Sequence, residues 1–198
     1  MEIKRITVFC GATSGRLPEF EEAAYKLGKD IAEAGYELVY GGGSAGMMGA
    51  VANGTVDAGG KVIGVIPRFL VERELAHEKV QTLEVVQSMH ERKARMDELG
   101  DATITLPGGA GTLEEFFEMY TWGQIGLHQK PLGLINTNNY FDDLMAMFNK
   151  MISEEFLEER YMNQLFIGED LESLVAQFEN FRPLPVRTYK DLQKGHRS

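Results

Sequence analysis

The stretch Ala102 to Glu115, ATITLPGGAGTLEE, decides how the chain folds and where its chemistry sits. Ala102 to Leu106 is short, apolar and closed by Pro107, as expected of a strand buried on both faces of a parallel sheet. Gly108, Gly109 and Gly111 then let the backbone turn and approach a ligand with no Cβ in the way. The helix that follows, read as Leu113 to Leu127, aims its unpaired N–H groups at the same spot. That makes an anion site, most simply one for phosphate. Glu114 and Glu115 fall in the expected first turn, where a carboxylate suits the helix dipole but repels a phosphate held too near. One acid is therefore expected to be a plain helix-start residue. The other reaches past the phosphate to something neutral or developing positive charge.

Upstream, Ile3 to Phe9 alternates and is β-branched, the small-residue loop Cys10 to Gly15 follows, and Pro18 to Ala34 has a helical apolar period ending at Gly35. Ser14 stands at that strand's carboxyl end, where open α/β sheets collect ligands, and reads equally as a turn former. Glu37 to Tyr40 is a second strand, followed by the glycine-rich Gly41 to Gly49. Its spacing satisfies the G-x-G-x-x-G dinucleotide pattern. The acid that should end the next strand is missing, because Val62 to Ile66 runs into Pro67 and Arg68. Those glycines serve equally for close backbone packing around a mononucleotide.

Phe69 to Lys79 has no clear period and reads as a loop or lid carrying Glu74 and a solvated His77. Thr82 to Gln87 is a fourth strand, and Ser88 with Glu91 three residues on forms a helix start. The helix carries Arg92, Lys93 and Arg95. Neighbours on a helix diverge by about 100°, so Arg92 and Lys93 cannot both centre one face. They flank a phosphate-and-sugar pocket, or they form a solvated patch paired with Asp97 and Glu98. Phe116, Phe117, Tyr120 and Ile125 are expected to face the core. Leu132 to Ile135 is expected to be the final strand and Phe141 to Ile152 an amphipathic helix, with the remainder to Phe178 helical. Residues 1–180 are expected to form one domain and 181–198 a frayed tail.

Of the 198 residues, 43% are hydrophobic and 25% charged, ordinary for a globular protein. A formal net charge of −10 argues against a nucleic-acid backbone or an anionic membrane as the main partner. Cys10 is the only cysteine, so an intrachain disulfide and a cysteine-based zinc site are excluded. No stretch reads as a signal peptide or a bilayer span, and the cytoplasm is the expected location.

Taken in order, Gly41-Gly42-Gly43, Gly46-Met47-Met48-Gly49, then Met89-His90-Glu91-Arg92-Lys93, then Pro107 to Glu115 resemble the LOG ("Lonely guy") family from the first strand to about Phe178. Its members are cytokinin riboside 5′-monophosphate phosphoribohydrolases, known also under an older lysine decarboxylase label. The resemblance implies an α/β, Rossmann-like three-layer fold with a mostly parallel central sheet. It implies that Gly109, Gly111 and Thr112 hold the phosphate, that Ala110 and Leu113 belong to the same substrate-binding loop, and that Arg92 and Glu115 are the catalytic pair. Glu74, Lys93, Glu114 and Thr121 fall where the family lines its nucleotide pocket, and Ala110 replaces an aromatic residue often found there. A homodimer with no metal and no coenzyme is implied, acting in cytokinin biosynthesis on a nucleoside monophosphate.

The expected reaction is hydrolysis of an N-glycosidic bond, releasing adenine or an N6-substituted adenine and ribose 5-phosphate. Two readings compete with it. The same pocket serves a non-catalytic nucleotide-binding protein, and a pyridoxal decarboxylase would need a Schiff-base lysine, for which Lys93 is the only candidate near the site.

Overall fold

The computed structural model describes residues 2–73 and 75–185. Its strands are β1 (Arg5–Phe9), β2 (Glu37–Tyr40), β3 (Val62–Pro67), β4 (Thr82–Val86), β5 (Ala102–Thr105), β6 (Leu132–Ile135) and β7 (Leu165–Gly168). The helices are α1 (Pro18–Glu33), α2 (Gly46–Asp57), α3 (Arg68–Val71), α4 (Met89–Leu99), α5 (Ala110–Ile125), α6 (Asp142–Ser153) and α7 (Leu171–Phe178). All seven strands pair in parallel in the order β4-β3-β2-β1-β5-β6-β7, a Rossmann-like arrangement.

Two apolar layers cover the sheet. Alternation along β1 sends Ile6 and Val8 to one, with Leu27, Ile31 and Val51 from α1 and α2, and Phe9 to the other, with Met96, Phe116 and Phe148. Thr7 takes part in neither, and its buried hydroxyl donates to the Met96 carbonyl at 3.0 Å.

The chain leaves β1 through β2, β3 and β4 in one direction, then returns to lay β5 on the other side of β1. That reversal opens a crevice at the carboxyl ends of β1 and β5. Backbone hydrogen bonds stitch its walls together: Leu106 N–H to Phe9 O, Gly11 N–H to Pro107 O, and Met48 N–H to Gly11 O.

Several expectations need correction. Leu165 to Gly168, read as helical, is an edge strand pairing with β6 from Leu132 to Ile135. Four apolar residues are too few to show a period, and the open edge of β6 decides their conformation. Helix α5 begins at Ala110 with Gly109 as N-cap, so Glu114 and Glu115 lie in its second turn. Ile125, expected inside, is 52% exposed at the helix end, where Gly126 adopts a left-handed φ of 77°. The segment after β3 contains α3 and is tied to the glycine-rich turn after β2 by Ser44 N–H to Leu75 O and His77 N–H to Gly42 O. His77, expected at the surface, is buried. The tail expected over 181–198 lies mostly outside the described residues, while Phe181 packs edge-on against Phe166.

Candidate active site

The crevice is a cleft of about 350 Å³, lined by Cys10, Met48, Met89, Arg92, Glu115 and the start of α5. A volume of this order accommodates a nucleotide-sized ligand. Gly109, Gly111 and Thr112 line it, and added Cβ atoms on Gly109 or Gly111 would meet nothing within 4 Å. The start of α5, where the helix's unpaired N–H groups and partial positive charge lie, is therefore open on the cleft side, as an anion site requires.

Arg92 and Glu115 meet behind that loop. Ser88 caps α4 by accepting from Glu91 N–H at 3.1 Å, and Glu91 Oε2 accepts from Gln87 N–H at 2.7 Å, which fixes the start of the helix. One turn in, Arg92 extends across the end of β3. Its Nε donates to Val65 O at 3.1 Å and its Nη1 to Glu115 Oε1 at 2.7 Å. Both side chains are over nine-tenths buried. Its Nη2 lies where a Cβ on Gly41 would stand, 1.8 Å away, so the absence of a side chain at Gly41 creates the slot that holds the guanidinium.

Burial pushes the Glu115 carboxyl above the ordinary glutamate range, although the Arg92 charge and hydrogen bond pull the other way. Among the described residues, Glu115 Oε2 accepts no hydrogen bond. The carboxylate is thus oriented through one oxygen and free to act through the other. Burial, with Glu115 nearby, also holds the Cys10 thiol well above its usual range, which leaves it a small apolar contact and not a nucleophile.

Lys93 points elsewhere, as the helical divergence requires. Its nearly buried ammonium pairs with Glu114 and, at 3.0 Å, with Glu118, clamping α4 to α5. Burial pulls its pKa down, but the two carboxylates more than offset this and hold it above the lysine value. A Schiff-base lysine needs the opposite shift. The surface pairing considered for these cations belongs instead to Arg95 with Glu98 and Glu84, and Asp97 pairs with Lys130.

The remaining expected residues are spread along the loop and α5. Glu114 lines the rim, Ala110 is exposed beside it, and Leu113 is half-buried against the core. Thr121 is exposed about three turns along α5, away from the cleft lining. Glu74 lies outside the described residues. Ser14 is half-buried and not in the lining, whereas its neighbours Ala12 and Thr13 are. Cys10, Met48 and Met89 were not singled out as cleft residues. The available signals were the place of Cys10 directly after β1 and the place of Met48 and Met89 in the first turns of α2 and α4, within the motif blocks quoted above.

A larger groove of about 500 Å³ lies between α1 and α7. Its rim carries Asp30, Glu33, Glu172 and Glu179, which suits no phosphate.

Residues 48–178 match the family model described as "Possible lysine decarboxylase". The chain is 43% identical over 180 residues to the cytokinin riboside 5′-monophosphate phosphoribohydrolase LOG7 of Arabidopsis thaliana, covering 91% of this chain and 83% of that one. It is also 43% identical to LOG of Oryza sativa subsp. japonica, over 91% and 74% of the two chains.

The chain belongs to the LOG family.

The LOG fold extends to more distant structures. The molybdenum cofactor binding protein of Rippkaea orientalis superposes with a TM-score of 0.68 at 24% identity, over 91% of this chain and 98% of that one. At that identity the likeness concerns the fold alone. What separates LOG chemistry from the older label in this chain is Lys93, whose charge is committed to two carboxylates. No helix among the described residues is long and apolar enough to cross a membrane.

Proposed function

We propose that this chain hydrolyses the N-glycosidic bond of purine nucleoside 5′-monophosphates bearing adenine or an N6-substituted adenine, releasing the free base and ribose 5-phosphate. The buried Arg92–Glu115 pair beside an open helix N-terminus carries this reading. The phosphate docks on the amides of Gly109 to Thr112, and its binding energy fixes the sugar against the wall. The base extends along the apolar side chains of Met48 and Met89. Rupture of the glycosidic bond builds positive charge on the ribose, in an oxocarbenium-like state. Glu115, held by Arg92, stabilises that charge and orients or deprotonates the attacking water. Arg92 acts by orienting the carboxylate and the substrate through its planar guanidinium fork.

Further support comes from the relatives, whose names state this activity at 43% identity. We further propose a cytoplasmic homodimer. Ile125 and Leu127, exposed near the end of α5, support an interface there, and Thr121 would then approach the subunit boundary. Sedimentation of the purified protein at twice the monomer mass is expected.

The decisive experiment incubates the protein with AMP, with an N6-prenylated AMP and with adenosine, and follows free base, ribose 5-phosphate and ribose by chromatography. Stoichiometric release of free base and ribose 5-phosphate from the nucleotides is expected. Tight nucleotide binding without release would make the chain a binding protein, and release only from the unphosphorylated nucleoside would remove the phosphate anchor from the proposal.

A further inference from the structure

The turn between β6 and α6 is held in an uncommon backbone conformation. Asn138 and Asn139 adopt successive left-handed φ values of 53° and 56°, a conformation that asparagine tolerates better than most residues but that still carries strain. The turn is held at both ends. Asn136 N–H donates to Gly168 O at 3.1 Å, its Oδ1 accepts from Phe141 N–H at 2.7 Å, and its Nδ2 donates to Asp142 Oδ1 at 2.8 Å. This framework presents Tyr140. The ring is gripped edge-to-face by Phe20 of α1 at 5.9 Å and by Phe141 at 5.2 Å. Its hydroxyl donates to the Gly108 carbonyl at 2.5 Å.

Gly108 begins the anion loop, and its carbonyl shares a peptide plane with the N–H of Gly109. The described chain has no cis peptide, so that N–H points opposite to the carbonyl. Glycines on both sides of the plane would otherwise let it rotate easily. We propose that Tyr140 is a positioning residue that latches the Gly108–Gly109 peptide, keeping the Gly109 amide aimed into the cleft to receive the substrate's 5′-phosphate. The Asn136 hydrogen bonds and the two ring contacts make a rigid arm, and the rigid arm pre-orders an otherwise loose donor.

The proposal takes its substrate from the hydrolase reading, but its test does not depend on turnover. Tyr140→Phe keeps both ring contacts and removes only the hydroxyl. Losing one ordering hydrogen bond is expected to weaken ribose 5-phosphate binding, measured by calorimetry, about five- to tenfold. The KM for AMP should rise by the same factor with kcat and Tm nearly unchanged, whereas a purely structural role would lower Tm and leave the affinity of the folded fraction intact. Phe20→Leu, which loosens the ring's seat but keeps the hydroxyl, should show a smaller affinity loss. Unchanged ribose 5-phosphate affinity in Tyr140→Phe overturns the proposal whatever the chain catalyses. Affinity loss in a chain that never releases base overturns the hydrolase reading and leaves the latch standing. Failure of the unsubstituted protein to bind ribose 5-phosphate overturns both.

Discussion

The two glycine-rich turns of this protein follow parallel strands and precede helices, yet they use the missing Cβ in opposite ways. In the turn after β2, the space is filled by the protein itself: Gly41 faces the Arg92 guanidinium, Gly43 faces Met48, and Gly46 abuts the Ala12 backbone. In the turn after β5, Gly108 is likewise filled, by the Thr112 side chain and the Gly11 backbone, but Gly109 and Gly111 at the helix start face nothing. The first turn is a mould for a side chain, while the second leaves its helix-start glycines open, as the proposed phosphate site needs. A glycine pattern alone does not distinguish them, because both satisfy the same steric demand on the backbone.

Five experiments test that contrast. The largest effect belongs to the group the first turn ultimately supports. Glu115→Gln is expected to lose about 100-fold or more in kcat while retaining nucleotide binding, a typical general acid–base contribution. Near-normal turnover would remove Glu115 from the chemistry. Next comes Gly41→Ala, whose methyl group occupies the place of Arg92 Nη2. Overpacking of this kind costs about 1–3 kcal/mol. Denaturant unfolding should register that loss together with a fall in kcat, since the displaced guanidinium no longer orients Glu115.

Gly109→Ala should behave oppositely. Its φ of −86° suits any residue and its Cβ would meet open space, so Tm should hold. The methyl would nonetheless stand between the loop amides and the phosphate, and KM for AMP should rise several-fold with kcat little changed. Equal Tm losses in the two alanine variants would erase the distinction between the turns.

The pH dependence is a finer probe. Burial raises the Glu115 pKa, and the proposed active form is the carboxylate. Activity should therefore fail as pH drops through a value above the ordinary glutamate pKa of about 4.3. An acid limb of kcat/KM at or below that value would contradict the burial argument.

The smallest effect concerns stability and two histidines held alike. His77 and His128 each accept a backbone N–H at Nδ1, from Lys79 and Lys130, and engage a fixed oxygen through Nε2, that of Asn53 and Met119 respectively. Burial lowers both pKa values below 6.5. A depressed histidine contributes stability above its unfolded pKa and loses it as pH falls through the folded one. Tm should drop as pH is lowered from about 6.5, and part of that drop should be absent in His128→Gln.

Much of this was legible in the sequence. Strands ending in glycine or proline, followed by helical periods, gave the alternating order and both turns, because those signals are local. The edge strand β7 escaped because its conformation depends on a neighbour and not on its own four residues. The pairing of Arg92 with Glu115 was implied only by the family resemblance; spacing alone made Arg92 a cation on a helix, since spacing along α4 says nothing about what its faces meet. The burial of His77 was hidden for the same reason: its neighbours Glu78 and Lys79 are charged, but its contacts come from Asn53 and Gly42.

The position of β1 in the sheet also shapes how the molecule comes into being. Its pairing partner Ala102 lies far along the chain from Ile6, and Arg5 N–H bonds to Asp101 across 96 residues. Until β5 is synthesised and slides in, one flank of the central strand has no partner, and long-range pairings of this kind form slowly. The crevice comes into existence only when that insertion is finished. A nucleotide therefore has nothing to recognise in any earlier intermediate, and its presence selectively rewards the completed chain.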